Sequence, residues 1–411
     1  MTTILQKLKN TPRIDYINYL ILLYAFTLSF PIGIVKFIAV ILIIFWITDK
    51  NTTIKLPETK IFLLFGIFLL YCIISYTWSN ASIKEAIFYI QRYWLFIPIY
   101  IIFKYLQKEK IKTALSVFIF GMSISEIFSY GNFFNIWRIG LGNPSDPTVF
   151  MSHSMYGLFL TVTALFLLFK LFYENRDKFW YLNLFFFLTL TTNIFVNSGR
   201  TGYMAFSLSL ITTIIILNIN NMKKMFKYII ISLAIIIVSI SLAYNFSTNF
   251  KNRILIIKED INKIIYKNSY SSSIGARVSF WIITKDILDN NLFLGVGIGN
   301  QNNVKKQIID EKYSSSMSYT RTLQHFHNSH LETLAQYGII GYILFLLILV
   351  RILMLKIKNQ IINSLKIILL ASFFYTSMTI GVFYLPRSMI LFTFILGIIL
   401  VQYRIENDKK I

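Results

Sequence analysis

Three histidines, His325, His327 and His330, stand within six residues, and Glu332 follows them. An imidazole titrates near neutral pH and can accept a proton from an attacking hydroxyl. Arginines accompany the histidines. Arg200 lies in Asn197-Ser198-Gly199-Arg200-Thr201-Gly202, a tight turn between two apolar runs, and Arg277 lies in Gly275-Ala276-Arg277. Arg92, Arg321 and Arg387, together with His153 and Glu126, occupy further positions at the ends of apolar runs or between them. A guanidinium fork suits bidentate grip on phosphate oxygens. Ionisable groups at a membrane boundary are costly and are functional candidates by default. The chemistry these types imply is displacement of a lipid-borne diphosphate by a hydroxyl.

Simpler structural explanations stand beside this one. Arg200 and Arg387 fit helix-end side chains that snorkel to the interface. Arg92 could bridge Glu126 inside the membrane, and His153 could cap or pack a helix start. His327, His330 and Glu332 carry zinc-type ligand atoms, but not the metalloprotease spacing of two histidines four apart, so no metal is expected. Leu294-Gly295-Val296-Gly297-Ile298-Gly299-Asn300 misses the third glycine of a dinucleotide fingerprint and lacks a strand before it. It reads as a tight turn that lets backbone approach the membrane.

These residues are held by a chain built for a bilayer. Of 411 residues, 56% are hydrophobic and 14% charged, against roughly 25% charged in soluble domains. The apolar residues come in runs of about 20, the length that crosses ~30 Å of hydrocarbon. The net charge of +22 fits the Lys and Arg that gather in cytoplasmic loops. No basic patch is interleaved with stacking aromatics, which argues against nucleic acid as a partner. The single cysteine, Cys72, lies in an apolar run, so neither an intramolecular disulfide nor a cysteine metal site is expected. The first apolar run, from about Asp15, is too long for a signal-peptide core and is expected to stay as a membrane helix.

The expected fold class is all-α, a polytopic membrane protein of about twelve transmembrane helices. They are placed at roughly 15–31, 34–48, 61–79, 86–106, 112–130, 154–172, 178–196, 201–220, 226–246, 332–354, 364–383 and 388–403. Basic residues precede the first (Lys7, Lys9, Arg13) and follow every even-numbered one: Lys50, Lys55 and Lys60, then Lys104 to Lys112, Lys170 to Lys178, Lys223 to Lys227, Arg351 to Lys366, and Arg404, Lys409 and Lys410. Both termini are therefore expected in the cytoplasm. Two of the opposite loops are long, about 131–153 and about 247–331. The organisation is thus helices one to nine over 1–246, a large periplasmic loop over 247–331, and the last three helices over 332–411. Within the loop, Arg253 to Lys267 and Arg277 to Leu288 show helical spacing of apolar residues. They are expected to be amphipathic helices lying on the membrane surface or capping a cavity.

From His327 the chain reads His-Asn-Ser-His-Leu-Glu-Thr-Leu-Ala-Gln-Tyr-Gly-Ile-Ile-Gly. This resembles the signature of the O-antigen ligase superfamily: His, then Asn, Ser or Gln, nine residues, Gly, two residues, and Gly, Thr or Tyr. His327, Asn328, Gly338 and Gly341 fill its positions at the end of a large loop. Ser198-Gly199-Arg200-Thr201, and Arg277 followed by Gly295 to Asn300, resemble the family as well. The resemblance covers roughly residues 190–345, and the first 150 match only in general character.

The resemblance implies a lipid-linked, GT-C-like glycosyltransferase of a bacterial inner membrane that needs no cofactor or metal. The donor would be a glycan on undecaprenyl pyrophosphate and the acceptor a lipid A–core hydroxyl, with membrane lipids around both. By carry-over, His327 is the catalytic base or positions the acceptor, while Arg200 and Arg277 hold the pyrophosphate. Arg92, His153, Arg321, His330 and Arg387 remain further candidates. Ligases and repeat-unit polymerases of O-antigen or capsule share the signature. The ligase reading is preferred because the histidine pattern and both arginines fit that branch fully. A flippase or transporter for a lipid-linked glycan is the remaining alternative, but it would place charges near the bilayer midplane on broken helices.

Overall fold

A computed structural model describes residues 12–49, 60–197, 199–246 and 248–407. Lys7, Lys9, Lys50, Lys55, Lys409, Lys410 and Ser198 lie outside the described residues. The remainder is helix and turn, with one isolated bridge, Asn143 to Asp146, in the 131–153 connection.

Each of the twelve expected spans is helical. In chain order the helices are α1 (Arg13–Thr27), α2 (Ile32–Ile47), α3 (Ile61–Ile74), α4 (Ile83–Ile90), α5 (Ile97–Tyr105), α6 (Ile111–Phe133), α7 (His153–Tyr173), α8 (Lys178–Val196), α9 (Arg200–Asn218) and α10 (Met222–Phe246). After them come α11 (Thr248–Lys267), α12 (Ser273–Asn291), α13 (Gln301–Lys312), α14 (Ser318–Thr322), α15 (Ser329–Leu353), α16 (Gln360–Ser377) and α17 (Pro386–Asn407). Among the described residues, eight helical stretches are long and apolar enough to cross a membrane. The other expected spans are the 15-residue α1, the 16-residue α2, α10, and α16, which carries Lys366. The chain is an all-α, multi-pass membrane protein.

Burial sorts these helices. The apolar windows of α7 and α17 are 78% buried and that of α8 is 17% buried, which puts the first two at the centre and α8 at the rim. Against α7 pack α8, α9 and α16, and against α17 pack α5 and α16. Close contact of α7 with α9 needs two glycines. A Cβ on Gly157 would stand 2.8 Å from the Gly202 Cα, the small-residue packing that brings membrane helices together without a hydrophobic drive.

Two expected spans are interrupted. The 86–106 span divides into α4, a 3-10 turn at Tyr93–Phe96, and α5, where Pro98 stands at the helix start. A Ser82–Glu85 capping box starts α4: the Glu85 carboxylate accepts from the Ser82 amide at 2.7 Å, and the Glu85 amide donates back to Ser82 Oγ at 3.4 Å. The 332–354 span begins earlier, at Ser329, because Asn328 accepts from the His330 and Leu331 amides at 2.9 and 3.2 Å. An asparagine N-cap is worth ~1 kcal/mol.

Helix α15 then breaks at Gly338, where φ is 61° and ψ −166°. The break frees the Ala335 and Gln336 carbonyls and the Ile339 and Ile340 amides. The backbone of 292–297 engages all four. Val296 and Gly297 amides donate to the Ala335 and Gln336 carbonyls at 2.9 Å, and the Ile339 and Ile340 amides donate to the Leu292 and Phe293 carbonyls at 2.9 and 3.3 Å. Gly295, Gly297 and Gly299 all have positive φ. The expected tight turn is therefore real, and its target is the broken helix.

The large loop contains four helices, two more than its periodicity indicated. Helix α11 starts ahead of Arg253, and α12 starts ahead of Arg277 at Ser273, capped by Ser272. Ala276, Phe280, Ile283 and Ile287 of α12 join Ile308 and Ile309 of α13, Phe326, and Leu331 and Ala335 of α15 in one apolar cluster. Helices α12 and α13 close over the first turns of α15.

A Cβ at position 338 would meet the Phe293 carbonyl oxygen at 2.3 Å, on a backbone that L-residues avoid. Gly338→Ala is therefore expected to destabilise the fold by about 2 kcal/mol or more. Thermal unfolding in detergent should show a clear drop in midpoint, and an unchanged midpoint would remove the break from the account of the fold.

Candidate functional site

The turn that precedes α15 carries His327 in the left-handed region, with φ of 48°. Non-glycine residues there are uncommon, and strain of this kind gathers at functional sites. Asn328 follows as the cap, so the first two signature residues are a strained imidazole and the group that starts its helix.

His327 lines a cavity of about 360 Å³. Helix α7 contributes His153, α12 contributes Arg277, the 319–327 stretch contributes Tyr319 and His325, and the turn between α16 and α17 contributes Gly381. The His325 and His327 rings meet edge to face at 4.5 Å. Arg277 donates from Nη1 to the Ser273 carbonyl and hydroxyl at 2.9 and 2.8 Å, while its buried Nε has no partner among the described residues. The outer part of the fork stays available.

Arg200 begins α9 beside this cavity. The Asn197 amide donates to the His153 carbonyl at 3.4 Å, and a Cβ on Gly199 would stand 3.0 Å from the same oxygen. The expected tight turn thus packs against the start of α7. Burial pushes the Arg277 pKa down, and the neighbouring positive charge of Arg200 pushes it the same way. Two guanidinium groups close enough to feel each other make a place where an anion would be favourable.

Burial holds His327 at a pKa of about 4, with the charges of His325, Arg277 and Lys305 acting in the same direction. His325 is lowered as well, again chiefly by burial. At neutral pH the His327 ring is uncharged and one ring nitrogen accepts a hydrogen bond.

The other sequence candidates divide by geometry. His153 lines the cavity, and its Nδ1 lies 3.1 Å from Asp146 Oδ2. His330 does not line it. Its Nε2 pairs with the Ser377 hydroxyl at 2.7 Å and its Nδ1 with the Tyr342 hydroxyl at 3.1 Å, among Phe345 and Phe374. Arg321 grips Asp310 with two bonds of 2.7 and 3.0 Å, tying α14 to α13 at the surface. Arg387 donates to the Phe30 and Phe150 carbonyls and so fastens loop ends. Among the described residues Arg92 and Glu126 form no ion pair. Arg92 instead donates to the Tyr384 carbonyl at 2.5 Å and lies 3.9 Å over the Phe88 ring.

Sequence reading passed over Lys305. It is fully buried, donates to the Leu323 carbonyl and has its pKa pushed down to about 8 by burial, so it is mostly charged at pH 7. A signal was present: Gln301, Lys305, Ile308 and Ile309 share the buried face of α13 at helical spacing. Gln301 donates to Tyr89, whose hydroxyl donates to Glu332 Oε1 at 3.0 Å. The second carboxylate oxygen, Oε2, is buried and would lie 3.6 Å from a Cβ on Gly381, a cavity residue. Glu332 thus stands behind the wall as a buried acid near Lys305.

Two further cavities flank this one. One of about 340 Å³ is aromatic, runs among the membrane helices, and reaches Thr333 and Tyr384, whose hydroxyls are 2.8 Å apart. The other, of about 420 Å³, is polar and lies between α4 and α13.

Residues 184–346 match a family model described as O-antigen ligase. The matched stretch contains Arg200, Arg277 and His327 together with α12, α13 and the broken part of α15. No curated protein matches the chain.

Selective labelling of the four histidines should resolve the His327 ring in an NMR titration. Its midpoint is expected at about 4, below the ordinary ~6.5 of an exposed imidazole. A midpoint at the ordinary value would show that the ring is solvated and would remove the case for a neutral acceptor.

Proposed function

We propose that the chain, whose residues 184–346 match a family model described as O-antigen ligase, transfers a glycan from undecaprenyl pyrophosphate to a hydroxyl of lipid A–core. The observation that carries this reading is the single cavity shared by His327 and Arg277, with Arg200 at its side.

The step is one displacement at the anomeric carbon. The neutral His327 ring accepts the proton of the acceptor hydroxyl as its oxygen bonds to that carbon. The bond from the carbon to the diphosphate oxygen breaks on the opposite side, so configuration inverts. Undecaprenyl pyrophosphate leaves with the bonding electron pair. Arg200 and Arg277 neutralise the negative charge that grows on it, which is electrostatic stabilisation of the transition state. The donor's own diphosphate supplies the driving force, and the step calls for neither nucleotide nor metal. His153 stands in the same cavity with Asp146 behind it, which suits a group that orients the donor.

The basic loops support an orientation with both termini in the cytoplasm and the cavity on the periplasmic side of a bacterial inner membrane. Residues 247–331 are then the periplasmic loop.

The test uses purified protein, a lipid-linked glycan and lipid A–core, with no nucleotide or metal added. His327→Ala is expected to lower transfer by about 10²–10⁴-fold at normal protein levels. Arg277→Lys should lose about 10²-fold, because an ammonium cannot form the fork. Near-normal transfer by His327→Ala would falsify the assignment. In cells, loss of the protein should leave full-length chains on the carrier lipid. Lipid A–core bearing one repeat would instead identify a repeat-unit polymerase.

A further inference from the structure

The polar cavity between α4 and α13 plays no part in gripping a diphosphate. It has about 420 Å³, within the roughly 300–1,000 Å³ of small-molecule sites. Lys84 comes from α4 and Lys306 from α13. Asn302, Asn303 and Gln324 add amide groups, and the half-exposed ring of Phe88 forms part of the wall. Neither lysine is in an ion pair with a described residue. Glu85 lines the same cavity: it accepts from the amide and hydroxyl of Ser82 at 2.7 and 2.8 Å at the start of its own helix, and it also interacts with Asn303 and feels the charge of Lys306, so the two lysines outnumber one acid. Amide groups that pair with hydroxyls, an aromatic face that covers C–H groups, and two ammonium groups against one carboxylate describe a site for a sugar with negative charge.

Its position gives that sugar a role. Leu323 lines this cavity and the His327 cavity alike, while Gln324 faces the first and His325 the second. The 323–325 stretch therefore runs between the two cavities, and Leu323 is common to both. Helix α13 pins it from below: Lys305 donates to the Leu323 carbonyl, and Asn302 donates to the Gln324 carbonyl. Resting on the transferase reading above, we propose that the groove between α4 and α13 holds the acceptor glycan, and that this glycan is acidic or phosphorylated. It would present a hydroxyl past Leu323, the residue the two cavities share, to His327, while the donor diphosphate lies on the Arg277 side.

Binding and transfer are measured separately, so that failure here differs from failure of the transferase reading. Full-length His327→Ala protein in neutral detergent is titrated with a phosphorylated core-type oligosaccharide and with its dephosphorylated form. The phosphorylated form is expected to bind at least about tenfold tighter, roughly the effect of 1.4 kcal/mol. Adding Lys84→Gln and Lys306→Gln should abolish that preference, while adding Arg277→Lys should leave it intact. Both lysines are exposed, and an unchanged unfolding midpoint checks that the variant is folded. In transfer assays on the His327-bearing chain, the lysine pair should raise the acceptor KM severalfold, with the donor KM and kcat near their starting values. The proposal fails if the lysine pair leaves the preference in place, or if Arg277→Lys removes it equally. It also fails if phosphatidylglycerol micelles compete as well as the oligosaccharide, since the groove would then be a lipid-headgroup site.

Discussion

A helix broken inside a bilayer must find new partners for every amide and carbonyl it frees, because hydrocarbon offers none. Helix α15 breaks at Gly338, and the 292–297 backbone meets that demand group for group. The rest of the site follows from this exchange. Docking the loop onto α15 brings α12 and α13, which flank it in sequence, over the first turns of α15, where Leu331 and Ala335 complete their apolar cluster. Arg277 on α12 and Lys305 on α13 are thereby set around the turn that carries His327. The glycine of the family signature and its histidine lie eleven residues apart, and the loop inserted at one defines the surroundings of the other.

Once assembled, the site is electrostatically lopsided. Arg277, Arg200 and the buried Lys305 surround two neutral imidazoles, and Glu332 is the buried acid behind the wall. Burial is the main reason that the Arg277 pKa falls and the His327 ring gives up its proton, and the like charges around them push the same way. On the proposed reading, an entering polyanion would relieve that repulsion. Binding energy from a diphosphate would thus be spent relieving repulsion already built in, and the same field that discharges His327 readies it to accept a proton.

Much of this was legible in the residues. Apolar runs marked every helical span, and His327, Arg200 and Arg277 stood out because charges are rare and clustered in this chain. The unread part has physical causes. Arg387, His330 and Arg92 share residue types with the site, but their partners are carbonyls and hydroxyls brought from distant helices: Phe30 and Phe150 for Arg387, Ser377 for His330, Tyr384 for Arg92. No spacing rule encodes such pairs. The break in α15 was hidden because hydropathy runs straight through Gly338, and only the loop carbonyl at 2.3 Å from a notional Cβ explains the glycine. Lys305 was missed because a lysine in a long polar loop passes for a solvated one, although its helical register puts it on the buried face.

On the proposed reading, transfer from an energy-rich diphosphate must also keep water from the anomeric carbon, since hydrolysis would waste each glycan. The geometry offers a means. The 323–327 stretch separates the two polar cavities and is pinned by Lys305 and Asn302 at one end and by the Asn328 cap at the other. His327 sits at the capped end with a strained backbone, beside Phe280 and Phe326, whose rings stack at 5.0 Å. An apolar floor and a fixed wall leave the imidazole few directions from which a hydroxyl can approach. On the proposed reading, a sugar hydroxyl held from the α4–α13 side fills the one approach that leads to reaction. Desolvation then serves twice, by keeping the base neutral and by keeping the competing nucleophile out.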